Sequence, residues 1–137
     1  MNARVLVADD CEHIRLTIRF ALEQAGYAVT EFDNGVDAAA ALEHGGYTCA
    51  LLDNQMPGLT GVEVVRAARA RGDRTPMALV TGSVTPDDLP FVSPPVCLVT
   101  KPFQVFDLVA MVDRLADREQ PDRRTPRSSW LSRLLRV

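Results

Sequence analysis

The sequence lacks any apolar run of the ~18 residues that a membrane-spanning helix requires, and "MNARVLVADD" at its start shows no signal-peptide cleavage pattern. Its three cysteines, Cys11, Cys49 and Cys97, are widely spaced and form no CxxC pair. That spacing predicts neither a disulfide framework nor a zinc site, so we expect small buried or half-buried thiols. These absences together predict a cytoplasmic protein.

Lysine is almost absent as well. Lys101 is the only lysine, and the fourteen other basic residues are all arginine. Before Asp117 there are fifteen acidic and nine basic residues, and from Asp117 to the end there are three acidic and six basic residues. The body of the chain is therefore acidic and its tail is basic. At 137 residues, 47% of them hydrophobic, the chain is long enough for one domain with a core, and two domains are not expected.

Five short apolar stretches predict β-strands at 3–9, 27–32, 47–53, 76–82 and 96–100. These stretches are continuous rather than alternating, which is typical of parallel strands that are covered on both faces. Helical patterns lie between or after them, at 12–25, 35–44, 61–71 and 104–117. Strands and helices that alternate with short connections predict a doubly wound α/β domain, with right-handed crossovers and helices on both sheet faces.

One connection departs from this pattern. Between Val84 and Pro95 the sequence reads "VTPDDLPFVSPP", with four prolines. A helix could begin at Pro86, but Pro90 would remove a hydrogen bond from its interior. We therefore expect the helix between the fourth and fifth strands to be short or irregular.

Polar residues follow four of the predicted strands at their carboxyl ends. They are Asp9, Asp10, Asp53, Thr81 and Lys101. In a parallel sheet these ends share one edge, and doubly wound domains bind their ligands there. Three carboxylates at one edge repel one another unless a cation is present, and a hard divalent cation such as Mg²⁺ suits oxygen ligands.

Each of these residues also has a purely structural interpretation. Asp10 could cap a helix that begins at Glu12, and Asp53 could belong to the Pro-Gly turn that follows it. Thr81 could simply end its strand, and a single lysine could be there by chance. No one of these residues decides between structure and function when it is considered alone.

Taken in order, the strand-end motifs resemble the receiver domain of bacterial two-component response regulators. The motifs are "VLVADD", "LLDNQMPGLTG", "LVTGS" and "VTKPF", and the resemblance covers about residues 3 to 117. It implies a flavodoxin-like, five-stranded parallel sheet in the order 2-1-3-4-5, which is the order of the chemotaxis receiver. The domain organisation that follows is a receiver domain at 1–117 and a basic linker with a short amphipathic tail at 118–137.

The resemblance implies a role for each strand-end residue. Asp53 would accept a phosphoryl group, and Thr81 would bond one of its oxygens. Lys101 would pair first with the Asp53 carboxylate and then with the phosphoryl group, and the peptide that joins it to Pro102 would be cis. The cofactor would be Mg²⁺, which Asp10 and Asp53 would bind directly and Asp9 through water, with the backbone carbonyl of Gln55 as a further ligand.

The partners that the resemblance implies are a histidine kinase or phosphotransfer protein as phosphoryl donor and a downstream target protein. We expect a stand-alone regulator that signals by protein–protein contacts or phosphorelay, and not an enzyme acting on a separate substrate. The alternative is a receiver-fold interaction module that acts without regulated phosphorylation. A flavin-binding protein of similar fold is disfavoured, because the acidic strand ends would repel a flavin phosphate.

Two regions depart from the family pattern. Leu98 lies three residues before Lys101, where many receivers have an aromatic residue that reports phosphorylation, so we expect the signal to leave by a different route. In the tail, "SSWLSRLLRV" predicts a short amphipathic helix, either frayed or docked on its own domain rather than on a partner or a membrane surface. DNA binding is not expected, because no helix-turn-helix fits into about twenty residues.

Overall fold

The structure, a computed structural model, describes the backbone of residues 3–119 and the side chains as far as residue 117. The amphipathic tail and most of the linker predicted at 118–137 therefore lie outside the described residues. No helix within residues 3–119 is both long enough and apolar enough to cross a membrane.

Five parallel strands form a single sheet. They are β1 (Arg4–Ala8), β2 (Ala28–Phe32), β3 (Cys49–Leu52), β4 (Met77–Thr81) and β5 (Cys97–Thr100). Their order across the sheet is β2-β1-β3-β4-β5, which confirms the doubly wound architecture and the strand order that the resemblance implied. The three central strands are buried almost throughout, whereas the edge strand β2 is half-buried.

Within residues 3–119, four helices cover the sheet, and each was predicted to within two residues of its observed bounds. They are α1 (Glu12–Gln24), α2 (Gly35–His44), α3 (Gly61–Ala70) and α4 (Val105–Glu119), with α1 and α4 on one face and α2 and α3 on the other. Successive strand residues point to opposite faces of the sheet, so each central strand contributes to two apolar cores, one under α1 and α4 and one under α2 and α3. The α1–α4 core is built mainly from Val5, Val7, Ile18, Leu22, Leu51, Ala78, Val80, Leu108, Val112 and Leu115.

The connection between β4 and β5 contains one 3₁₀ turn, Pro86–Asp88, which confirms the expected short or irregular helix. After this turn, Leu89 and Val92 pack against the core on the α2–α3 face. Arg69 of α3 donates a hydrogen bond from Nε to the carbonyl oxygen of Pro94, at 2.9 Å. Apolar side chains and one arginine thus fix a segment whose prolines prevent a regular helix.

The three thiols differ in exposure. Cys49 is buried and Cys97 is half-buried, as predicted. Cys11 is exposed, so the prediction was wrong there, because Cys11 lies in the turn between β1 and α1 at the edge of the sheet.

Candidate functional site

The polar residues that the sequence places at strand ends lie together at the carboxyl edge of the sheet. Asp9 and Asp10 follow β1, Asp53 follows β3, Thr81 is the last residue of β4, and Lys101 follows β5. β1 and β3 are neighbours in the sheet, which brings their carboxylates side by side. The fold therefore places these five residues at one edge of the sheet.

Asp9, Asp10 and Asp53 each place a carboxylate oxygen within 4.8 Å of the other two. Asp9 and Asp53 are only 2% and 7% exposed, whereas Asp10 is exposed to solvent. Beside Asp10, a cleft of about 540 Å³ opens toward solvent, lined also by Asp33, Asn34, Pro57 and Gly58. Hard oxygen donors that are fixed on one side and open on the other are what Mg²⁺ requires, so this donor set fits the ion.

Lys101 connects two of these carboxylates. Its ammonium donates to Oδ2 of Asp9 at 2.8 Å and to Oδ2 of Asp53 at 3.3 Å. The resemblance implied a pairing with Asp53, and the shorter bond to Asp9 is an addition to it. Burial by itself lowers the pKa of Lys101, but the hydrogen bond to Asp9 and the charges of Asp53 and Asp9 outweigh it and raise the pKa above its usual 10.5. The peptide between Lys101 and Pro102 is cis, as the resemblance implied.

Thr81 is buried at the same edge, and its hydroxyl is already engaged. The Thr81 oxygen accepts a hydrogen bond from the backbone N–H of Ser83 at 3.2 Å and lies 3.0 Å from the Ser83 hydroxyl. Ser83 is exposed, so this pair marks the solvent side of the site. Thr81 therefore comes to the predicted place, with Ser83 as its partner among residues 3–119.

The loop after Asp53 is fastened to the start of α3. Asn54 accepts a hydrogen bond from the N–H of Val62 through Oδ1, at 3.0 Å, and from the N–H of Gly61 through its carbonyl, at 3.1 Å. A Cβ atom on Gly61 would lie 2.4 Å from the carbonyl oxygen of Asp53, so only glycine allows this approach. Gln55 is exposed in the same loop, and the role of its carbonyl stays a prediction.

Arg15 is a residue near the site that the sequence interpretation missed. Its Nη1 donates to the carbonyl oxygen of Asp9 at 2.7 Å, and its Nε donates to Oε1 of Glu31 at 3.2 Å. The one available signal was an arginine bordering the apolar stripe of α1, beside Ile14 and Ile18. The position of Arg15 on the helix does not predict which residue it binds, because Glu31 lies sixteen residues further along the chain.

Leu98 is half-buried on β5 and packs against the core on the α2–α3 face. In this position it is an ordinary packing residue. The different signal route that its identity predicts stays a prediction.

Comparison with known proteins identifies relatives of this domain. Residues 5–113 match the family described as the response regulator receiver domain. The chain is 35% identical over 116 residues to the uncharacterized transcriptional regulatory protein YkoG of Bacillus subtilis, a match that covers 81% of this chain and 50% of YkoG. It is 33% identical over 117 residues to the response regulator receiver protein CpdR of Brucella abortus, covering 82% of this chain and 95% of CpdR.

A solved structure shows the same architecture. The chemotaxis response regulator CheY4 of Vibrio cholerae has a TM-score of 0.75 and 28% sequence identity to this chain. The match covers 84% of this chain and 99% of that one. The chain thus spans about half the length of YkoG and nearly all of CpdR.

Proposed function

The chain belongs to the response regulator receiver family, and on that premise we propose that Asp53 accepts a phosphoryl group in a Mg²⁺-dependent reaction. The proposal rests on the environment of the Asp53 carboxylate. It is buried, lies within 4.8 Å of the Asp9 and Asp10 carboxylates, and accepts a hydrogen bond from the ammonium of Lys101. A histidine kinase or phosphotransfer protein is the proposed donor.

In the proposed transfer, one carboxylate oxygen of Asp53 forms a bond to phosphorus as the bond between phosphorus and the donor breaks. The electron pair of the broken bond leaves with the donor, which for a phosphohistidine is a ring nitrogen. The product on the protein is an acyl phosphate. Asp53 is suited to this role because the N–H of its own backbone is bound to the carbonyl of Ala8, at 2.9 Å, which fixes the residue next to β1.

Lys101 and Thr81 would stabilise the charge on the transferred group. The ammonium of Lys101 already lies 3.3 Å from Asp53, so a small movement brings it to a phosphoryl oxygen while its bond to Asp9 is kept. The Thr81 oxygen can continue to accept from the N–H of Ser83 while its own O–H donates to the phosphoryl group, since a hydroxyl both donates and accepts. Both residues would thus act without a rearrangement of the strands.

Asp9, Asp10 and Asp53 would hold Mg²⁺, with the backbone carbonyl of Gln55 as a further ligand. Bound there, the ion supplies positive charge that offsets both the three carboxylates and the phosphoryl oxygens. The protein's own contribution is to keep two of the carboxylates buried and the third at the open side of the cleft.

The proposal is tested with acetyl phosphate and Mg²⁺. The wild type should gain the mass of one phosphoryl group, and Asp53→Asn should gain none, because an amide cannot form the acyl phosphate. Asp33→Asn is the matched control, since Asp33 lines the cleft beside Asp10 but is not one of the three clustered carboxylates. An unmodified wild type, or equal labelling of wild type and Asp53→Asn, would contradict the proposal.

The proposal extends to action as a stand-alone cytoplasmic regulator that works through protein–protein contacts or phosphorelay. CpdR is named a receiver protein, and this chain covers 95% of it. YkoG is named a transcriptional regulatory protein, and this chain covers half of it. Both relatives support a regulatory role for the receiver domain.

A further inference from the structure

We propose that Arg15 is a positioning residue for the metal site, because it fixes the peptide that joins Asp9 to Asp10. The carbonyl oxygen of Asp9 belongs to that peptide, and it accepts a hydrogen bond from Nη1 of Arg15 at 2.7 Å. This inference rests on the proposed function, since it concerns the carboxylates that would hold Mg²⁺.

Asp9 is held at four points. Its backbone N–H donates to the carbonyl of Phe32 at 3.1 Å, and its carboxylate accepts from the backbone N–H of Cys11 and from Lys101, each at 2.8 Å. Arg15 binds the remaining polar group, the carbonyl oxygen. Asp9 therefore has little freedom, and one of its four restraints comes from a side chain of α1.

Asp10 depends on that restraint more than Asp9 does. Within residues 3–119 its side chain makes no hydrogen bond or ion pair, and it is exposed. The position of its carboxylate is thus set by its backbone, and its backbone begins at the peptide that Arg15 holds. Without Arg15, that peptide would keep the bond from the Cys11 N–H to the Asp9 carboxylate but lose the donor at its carbonyl oxygen, so Asp10 would be held less firmly beside the other two carboxylates.

Arg15 is itself held in place by Glu31. Its Nε binds Glu31 of β2 at 3.2 Å, and Nη1 of Arg19 binds the other carboxylate oxygen of Glu31 at 2.7 Å. The side chains of Arg15 and Glu31 are only 16% and 19% exposed, so solvent competes little for their bond. The planar guanidinium can reach Glu31 and the Asp9 carbonyl together, which a single ammonium cannot do as well.

The ion pairs of Glu31 also provide a matched control. Arg19 binds Glu31, as Arg15 does, but among its described contacts none is with Asp9. It is more exposed than Arg15, with 46% of its side chain accessible. Removing Arg19 therefore disturbs the ion pairs and leaves the bond to the Asp9 carbonyl in place.

The test measures Mg²⁺ binding to the full, unphosphorylated chain by calorimetry. Arg15→Ala should weaken Mg²⁺ binding by roughly 10-fold, the lower end of what loss of a residue behind the metal ligands typically costs. Arg15→Lys should lie between Arg15→Ala and the wild type, and Arg19→Ala should bind like the wild type. Equal affinity of wild type and Arg15→Ala, or equal weakening by Arg15→Ala and Arg19→Ala, overturns the inference.

A second readout separates positioning from a general loss of structure. The rate of phosphorylation by acetyl phosphate is followed as Mg²⁺ is increased. Arg15→Ala should need more Mg²⁺ for its half-maximal rate but reach the plateau of the wild type. A lowered plateau with an unchanged half-maximal concentration would mean that Arg15 is merely structural. If Arg15→Ala does not unfold cooperatively, the half-maximal Mg²⁺ concentration and the plateau rate are measured on Arg15→Lys instead.

The outcomes for Arg15 and for the proposed function are distinguishable. A wild type that binds Mg²⁺ and is phosphorylated on Asp53, together with an Arg15→Ala variant that behaves identically, overturns the role of Arg15 alone. A wild type that binds no Mg²⁺ overturns both.

Discussion

At the scale of single residues, the site depends on the chemical difference between lysine and arginine. Lys101 carries a compact ammonium, and it bonds two carboxylates that come from different strands. A guanidinium is a broad planar fork, which needs more room and directs its donors in one plane. A pocket that would also admit the proposed phosphoryl group favours the smaller cation, and the chain's other Lys and Arg positions are all arginine.

Lys101→Arg is therefore expected to fold and yet to be phosphorylated more slowly. We predict a rate with acetyl phosphate lower by about 10-fold or more, because the loss of one well-placed donor to the transferred group commonly costs at least that much. The measurement is the initial rate of labelling at saturating Mg²⁺. Arg66→Lys, an exchange in the opposite direction at an exposed position of α3, should leave the rate unchanged. A Lys101→Arg rate equal to that of the wild type would argue against a need for the ammonium.

The sequence predicted where the candidate site residues lie better than it predicted the hydrogen bonds that they make. Asp9, Asp10, Asp53, Thr81 and Lys101 could be found because each directly follows or ends a strand, and parallel strands end at one edge. The bonds from Lys101 to Asp9 and from Arg15 to the Asp9 carbonyl could not be found in that way. They depend on how the β5 and α1 side chains turn in three dimensions, and sequence spacing does not contain that information.

At the scale of elements, the position of Asp53 depends on how closely α3 approaches β3. Asn54, the residue after Asp53, accepts a hydrogen bond from the N–H of Val62 in the first turn of α3. Gly61 lets the helix begin against the backbone of Asp53, since no Cβ atom fits there. Asp53 and the start of α3 are thus joined by hydrogen bonds and close packing.

Gly61→Ala is expected to lower the free energy of unfolding by about 1–3 kcal/mol, the usual cost of forcing an extra carbon into a packed site. The added Cβ would lie 2.4 Å from the Asp53 carbonyl oxygen and 2.8 Å from Cδ2 of Leu79. Denaturation in urea measures the change. Gly82→Ala is the matched control at the same edge, because its Cβ would meet nothing closer than 3.7 Å, and it should change stability by less than about 0.5 kcal/mol. Equal effects of the two substitutions would contradict the steric explanation.

The connection between β4 and β5 shows what composition can predict for an element. The prolines of "VTPDDLPFVSPP" predicted that a full helix would not form, and a 3₁₀ turn is found. How the segment is held was not predictable, because Arg69 and the Pro94 carbonyl are twenty-five residues apart. The prolines thus exclude a regular helix in this segment, whereas contacts with residues distant in sequence determine the conformation observed.

At the scale of the whole molecule, the core between the sheet and the α1–α4 layer depends on residues near the end of the described chain. The α1–α4 core requires Leu108, Val112 and Leu115, all of which are at most 2% exposed. The hydroxyl of Tyr27 also bonds the carboxylate of Asp113 across this layer. α4 is therefore an integral part of the domain as far as its buried residues reach.

Removal of residues 120–137 is expected to leave folding and the phosphorylation of Asp53 intact, because every described core residue lies before that segment. Thermal melting and labelling with acetyl phosphate measure the two properties. A chain that ends at residue 104 is the contrasting variant. It lacks Leu108, Val112 and Leu115 and should not fold cooperatively, since each large buried side chain contributes about 1.5–3 kcal/mol. Loss of folding on removal of 120–137 alone would show that the tail belongs to the core.

The unequal bonds of Lys101 have a consequence for repeated use of the site. In the proposed cycle Asp53 would be phosphorylated and its acyl phosphate hydrolysed each time, whereas Asp9 would stay chemically the same. The shorter of the two bonds, 2.8 Å against 3.3 Å, joins Lys101 to Asp9. Lys101 is thus held more closely by the carboxylate that the proposed cycle would leave unchanged, so its ammonium would stay in place from one phosphorylation to the next.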